Sequence, residues 1–435
     1  MAKGWTEREI IHLLNRAAFG ASDMDIQASL SYGKKETVRR LVNGTPLIAG
    51  SQELAAIEQT QADGKALKAD QLSDQQIYWL YRMINSSTPL IEKMTLFWHG
   101  HFATSNAKVG NVQLMVRQNQ LFRNLALGSF RELLLAVGTD PAMMIWLDAG
   151  DNRKSSPNEN YAREVMELFA LGRGHYSEQD VKEAARSFTG WQYDRDKDQT
   201  VFNPNQHDSG LKIFLGEQGN MDEGDVVEVL LSQSSLYDFL ALKLLQAFAC
   251  GNPSNSWRAR IASRLHQSLQ IKDTLYDIFM SDEFYEDTCY MALIKSPVEY
   301  VVSLARSLSL PLSRNIANAV NSMGQELYSP PDVAGWRGGE SWLLTNDLLP
   351  RFQYAETVSK QVKSDWFLTN RTKPSVAVPM GERLKLWSQK LRIGPLTDAT
   401  VKGLIAFSEE NLVLTDSAMR QLLQMLLLCP ESQLK

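Results

Sequence analysis

Apolar residues recur at three- and four-residue intervals along most of this chain, and that spacing commits it to helices. Thr6 followed by Glu9 reads as a capping box that opens the series Ile10, Leu13, Leu14, Ala17. Two consecutive amphipathic helices are expected at Ser73 to Asn85 and Pro89 to Trp98, with Pro89 in a favourable first turn. The pattern continues through Val109 to Leu127, Phe130 to Gly138 and Pro141 to Leu147. A polar loop, Asp148 to Pro157, precedes a long helix from about Asn158 to Leu171. Ser177 with Asp180 opens another helix over Glu178 to Phe188, which Gly190 stops. The polar stretch from Asn43 to Asp74 reads as an exposed helix or arm, given its Ala, Gln, Lys and Glu content.

One segment breaks the rhythm. Between residues 191 and 224 Asp, Asn, Gly and Gln surround short apolar pieces, so two or three short strands are expected there. Helices resume at Asp225 and run to about Asn321; after the loop around Pro330 to Gly339 they return at Arg351, with breaks at Pro374, Pro379 and Pro395. The expected fold is therefore mainly α: one large multi-helix domain over residues 1–435 with a small irregular or β excursion near 191–224. Residues 352–435 form a C-terminal helical cap in this reading.

Composition narrows the function. Forty-five Lys and Arg against 50 Asp and Glu give a net charge of −5, which disfavours bulk nucleic-acid binding. Three scattered cysteines are too few for a disulfide framework or a Cys-based zinc site. No apolar run approaches the roughly 18 residues that span a membrane. The first twenty residues carry early charges and no clean apolar core, so no signal peptide is expected, although a processed precursor would look the same. Both a cytoplasmic and a periplasmic location fit.

Four segments could carry chemistry. On the helix after Pro157, Asn160, Glu164 and Glu167 share one face, and Arg163 pairs with Glu159 beside it. Two carboxylates one turn apart can hold a divalent metal or divide acid and base roles; a solvated helix face is the plainer alternative. In Trp98-His99-Gly100-His101-Phe102, His99 and His101 would both reach one metal on an extended segment and would diverge by about 200° on a helix. His207 and Asp208 could be a base with its orienting carboxylate, and Lys212 could hold an anion, whereas an Asx turn at Gly210 explains the same residues without chemistry. Trp336, between glycines and after Pro330-Pro331, makes an aromatic ledge or a buried plug. The phosphate-binding, nucleotide-binding, zinc-protease, serine-hydrolase and kinase signatures are all missing.

At these segments the chain resembles a bacterial family catalogued as domain of unknown function 1800. The matching stretches include Leu14-Asn15-Arg16-Ala17-Ala18-Phe19-Gly20, Phe97-Trp98-His99-Gly100-His101-Phe102 and Asp140-Pro141-Ala142-Met143. The core match is Pro157-Asn158-Glu159-Asn160-Tyr161-Ala162-Arg163-Glu164, continuing to Thr189-Gly190-Trp191, with His207-Asp208, Lys212, Pro330-Pro331-Asp332-Val333 and Gly335-Trp336 further on. The resemblance covers essentially the whole chain. It implies no settled activity. It implies frequent export and a co-encoded sulfatase-like partner.

Two readings of function result. In the first, the motif residues converge into one polar pocket, with or without a metal, acting on an anionic or carbohydrate-type substrate. Glu164, Glu167, His207 and Asp208 would do acid, base or ligand work. Lys212, Arg163, Arg117, Asn160 and Trp336 would bind substrate, and His99 and His101 would be metal ligands. In the second, the same residues form a structural polar network in a non-catalytic assembly protein, whose exposed aromatics, such as Trp5 or Trp366, face the sulfatase-like partner. A ligand sensor or carbohydrate-binding module is the third and weakest reading.

Overall fold

The computed structural model describes residues 4–51, 53–367, 379–410 and 415–435. The chain is mainly α-helical, and among the described residues its only sheets are three two-stranded hairpins. Both expected capping boxes form, Thr6 with Glu9 and Ser177 with Asp180, each offering side-chain acceptors to N–H groups that the first turn leaves unpaired. The excursion near 191–224 holds four short strands in two hairpins, where two or three strands were expected. Strand Trp191–Asp194 pairs with Gln199–Phe202, and Lys212–Phe214 pairs with Glu217–Gly219. The break at Pro374 lies outside the described residues.

Helices pack around two apolar cores. The first gathers helices Glu7–Ala17, Phe130–Gly138, Ser234–Phe248 and Ile271–Met280, around residues such as Leu14, Trp98, Phe169 and Leu240. The second gathers Leu72–Asn85, Pro297–Ser307, Asn315–Ser322 and Asp416–Leu428, around Trp79, Tyr300, Trp387 and Leu426. The stretch expected to be a C-terminal cap supplies much of this second core. Helix Pro89–His101 serves both, giving Met94 and Trp98 to one and Leu96 to the other. Among the described residues no helix is long and apolar enough to cross a membrane.

Three local expectations change. Residues 43–74 are not one helix: a 3-10 turn at Ile57–Gln59 and a hairpin of Gln61–Ala62 with Lys65–Ala66 occupy them. Gly44, Gly50 and Gly64 take positive φ there, which a helix cannot accommodate. The helix expected over Val109 to Leu127 is two, Asn106–Val109 and Val112–Asn124, because left-handed Gly110 ends the first and Asn111 caps the second. The Asn160–Glu164 helix widens into a π-helical stretch at Val165–Ala170, where the Leu171 N–H reaches back five residues to the Met166 carbonyl at 2.9 Å.

Candidate functional site

The polar motif residues between 148 and 212 sit close together along the chain and are largely bonded to one another. The loop after Asp148 is pinned by buried Asn152, whose Nδ2 donates to the Ala185 carbonyl at 2.8 Å and whose Oδ1 accepts from the Asn158 N–H at 2.9 Å. Asn160 is a minor member, donating to Asp148 at 3.4 Å. Arg163 forks onto Glu178 at 2.8 and 2.9 Å and also reaches Glu159 at 3.1 Å, as the helical spacing suggested. Glu167 accepts from Tyr176 Oη at 2.8 Å and Arg173 Nε at 2.6 Å, and these bonds hold its carboxyl below the usual range.

Glu164 differs from these neighbours. It is half-buried and has no hydrogen-bond partner among the described residues. Burial, then the adjacent charge of Glu167, pushes its carboxyl up. The structure thus brings Glu164 and Glu167 together as expected, but supplies no third ligand. Among the described residues no three of His, Cys, Asp and Glu gather where they could hold a metal ion.

His207 and Asp208 do not act on each other. His207 faces Thr189 through Nδ1, 2.9 Å from the carbonyl oxygen, while Asp208 takes two bonds from Arg186 at 2.7 and 3.2 Å. Adjacent residues on irregular backbone point apart, and Arg186 holds the Asp208 carboxyl down. Lys212 is buried with its ammonium donating to the carbonyls of Asp208, Gly210 and Met221, the last at 2.9 Å. Those carbonyls take up its donors, so the expected anion contact is replaced by an internal tie. Arg117 lies elsewhere, on helix Val112–Asn124, and pairs at 2.8 Å with Asp198 in the turn between strands Trp191–Asp194 and Gln199–Phe202. No hydrogen bond or ion pair among the described residues joins these groups to either His99 or His101.

The two histidines lie inside helix Pro89–His101, so the extended geometry in which they would share a metal is not formed. Two residues apart on a helix they diverge, as the 3.6-residue turn dictates. His99 Nε2 accepts the Tyr328 N–H at 3.1 Å, and its ring meets Trp336 with centroids 5.4 Å apart. His101 Nε2 donates to the Phe169 carbonyl at 2.9 Å. Burial lowers both, His99 to about 3, so both are neutral packing groups at pH 7. Trp5 and Trp366 are likewise half-buried: Trp5 Nε1 donates to the Ser29 carbonyl at 2.9 Å, and the Trp366 ring packs on Trp387 at 5.6 Å.

Between His99 and His101, Gly100 meets the second motif loop. Gly335 has φ +79°, and a Cβ there would stand 2.4 Å from the Gly100 carbonyl oxygen. Only glycine permits that approach. It carries Trp336 onto helix Pro89–His101, where the two cores meet, and there the structure leaves a cavity of about 580 Å³. Trp336, Trp342 and Phe97 form its aromatic wall.

The charges around this cavity are cationic in excess. Lys93, Lys243, Arg337 and Lys435 line it against a single acidic side chain, Glu299. Glu299 is buried and accepts from both Lys93 and Lys435. Burial pushes its carboxyl up, but Lys435 and Lys93 together pull it far below the usual range. Burial lowers the ammonium of Lys93, and that of Lys435 to about 7. Lys243 faces the Phe239 ring at 5.1 Å and has no carboxylate or hydrogen-bond partner among the described residues; burial lowers it as well. Exposed Arg337 is equally unpartnered among them.

Of the candidate catalytic, substrate-binding and metal residues, only Trp336 and His101 line this cavity. Lys93 carried a usable signal, being a lysine in a helix apolar on nearly every side, which buries only when paired. Glu299 carried another: Ser296-Pro297-Val298-Glu299 is a capping box, and it forms. Nothing in the spacing joins residue 93 to residue 299.

A family model described as "Protein of unknown function (DUF1800)" matches residues 12–434. No curated protein and no solved structure matches the chain.

Proposed function

The chain belongs to the DUF1800 family, and on that premise we propose that it takes up a small anionic ligand in the cavity beneath Trp336. One observation carries this reading: four basic side chains face one acidic side chain there, and Lys243 and Arg337 have no hydrogen-bond or carboxylate partner among the described residues. A cation held half-buried without a counter-ion lacks the pairing that normally accompanies burial, and an anionic group between Lys243 and Arg337 would supply it. The tryptophans suit a ligand with a flat apolar or sugar face beside its charge. Phosphate, sulfate and carboxylate groups share this chemistry. The surrounding donor set does not fit a divalent metal, so the reading carries none.

The test is a thermal-shift screen of phosphate, sulfate, sulfated and phosphorylated sugars, and neutral sugars, on wild type, Lys243→Met and Trp336→Phe. An anionic ligand at a hundred times its Kd stabilises the protein by about 2.7 kcal/mol. Stabilisation of wild type that disappears in Lys243→Met supports the reading. Equal shifts from neutral sugars, or an unchanged response in Lys243→Met, overturn it.

A second reading is favoured by the strip of residues 148–212. Glu167, Arg163, Asp208, Arg186 and Lys212 are all bonded within the chain, which suits a scaffold holding the two hairpins. In that reading the strip orders the surface that meets a partner, the sulfatase-like protein implied by resemblance, and performs no chemistry. Co-purification of the two proteins, lost when Arg186 is replaced, tests it.

A further inference from the structure

Helix Glu223–Ser232 begins with a carboxyl in an unusual place. Glu223 is 93% buried, being 7% exposed. Its Oε1 has no hydrogen-bond partner, and no other bond of its side chain is found among the described residues. The carboxyl lies over Gly138, the last residue of helix Phe130–Gly138. A Cβ on Gly138 would fall 1.8 Å from Glu223 Oε1 and 2.9 Å from the Tyr161 hydroxyl oxygen. The absent side chain at residue 138 is the space that the carboxyl occupies.

The carboxyl also borders a second cavity, of about 430 Å³, remote in sequence from the first and sharing none of its lining. Trp191 and Phe202 form its aromatic side. They sit directly opposite each other in the hairpin, with ring centroids 5.2 Å apart, and Phe202 is 41% exposed. Thr200, one pair further along the same face, donates to the Thr139 carbonyl at 2.8 Å and fastens the hairpin over the cavity. The remaining wall is Leu135, Thr139 and the first turn of the Glu223 helix. Two carboxyls line the space, Asp222 and Glu223, and no lysine, arginine or histidine does. Asp222 Oδ1 already caps the Asp225 N–H at 3.1 Å.

We propose that this cavity is a binding site for an organic ammonium cation, held by the Glu223 carboxylate and stacked against Trp191 and Phe202. Aromatic faces and an otherwise unpaired carboxyl, with no competing base, are what such a cation needs. A sugar would require several donors and acceptors, and the Thr139 hydroxyl and the Trp191 indole N–H are the uncharged polar side-chain groups in the lining. The site carries its own proton switch. Burial, then the charge of Asp222, raises Glu223 to about 8, so the empty site holds a proton at neutral pH. The groups facing it are Asp222 on its own helix and Tyr161 from the Asn160 helix; the hairpin and the Phe130 helix present none that titrate. A bound cation displaces that proton to solvent.

Tetramethylammonium, whose charge does not change with pH, is the probe. Calorimetric titration of the full chain should show binding that tightens about tenfold or more between pH 6 and pH 9, as Glu223 ionises. Trp191 fluorescence should change with it. Glu223→Gln, which keeps the shape and removes the charge, should abolish binding at both pH values. Phe202→Ala, at an exposed position that leaves the fold intact, should weaken binding about threefold or more. No binding to wild type at pH 9, binding that ignores pH, equal binding by Glu223→Gln, or preference for glucose over tetramethylammonium each overturns the proposal.

Discussion

The strip of residues 148–212 and the cavity beneath Trp336 are both rich in charge, and they use it in opposite ways. In the strip, partners are near in sequence: Arg163 with Glu159 and Glu178, Glu167 with Arg173, Arg186 with Glu183. Most are partly solvated and each of these carboxylates has its cation, Glu164 being the motif carboxylate left out. In the cavity, Lys93 meets Glu299 from across the chain, both are buried, and the balance is left positive. A dense run of motif residues therefore need not mark the reactive part of a protein. Local charge tends to be satisfied locally. Unpaired charge accumulates where distant segments converge.

The largest effect that could break this contrast is expected at Glu299. Replacing it with Gln leaves Lys93 and Lys435 buried without their counter-charge, which should destabilise the protein by about 3–5 kcal/mol in chemical denaturation. A near-wild-type midpoint would mean that the cavity is as well solvated as the strip.

The pH dependence of stability separates the two regions next. Lys295 and Lys435 are lowered by burial to about 8 and about 7. The unfolded chain therefore binds more protons than the folded one between those values and 10.5, and stability should rise over that interval, on the order of a few kcal/mol. In the strip, Glu167 and Asp208 are held below their ordinary values, so their contribution is present above about pH 4 and is lost as pH falls through the folded values. Urea unfolding midpoints from pH 3 to pH 10 would show both limbs, and Lys435→Met should flatten only the alkaline one.

A smaller effect is expected from Gly335→Ala. It sets a Cβ against the Gly100 carbonyl at a positive φ and should cost about 1–3 kcal/mol. Anion-dependent stabilisation should fall with it, because Trp336 moves. The smallest belongs to the strip: Glu178→Gln, at an exposed pair with Arg163, should leave the unfolding midpoint unchanged within error. A clear loss there would give the strip more structural weight than its exposure suggests.

What was legible in the sequence follows the same division. Capping boxes at Thr6 and Ser177, the proline that starts helix Pro89–His101, and the shift to hairpins after Gly190 are local signals, and they formed. The Arg163–Glu159 pair was legible for that reason too. For residues 43–74, expected as an exposed helix or arm, the helix does not form: their composition favours it, but Gly44, Gly50 and Gly64 need backbone angles that a helix forbids. His99 and His101 turned on whether Gly100 ends the helix, and the helix runs through it. Glu223 carries no signal in the sequence, where its neighbours are ordinary; its character comes from Gly138 and Trp191, which only the fold brings near. Lys93 and Glu299 each had a local signal, but their pairing is a long-range fact.

The contact of Gly335 with Gly100 has a consequence for how this cavity can diversify. One part of its rim is backbone against backbone, closed to any side chain at residue 335. Substitution at residue 335 cannot adjust the wall there by small steps, as it can where side chains meet. On the proposed reading, selection for a different ligand acts instead through Trp336, Arg337 and Trp342. Related proteins with other ligand preferences should then differ at those three positions while the glycine beside them stays the same.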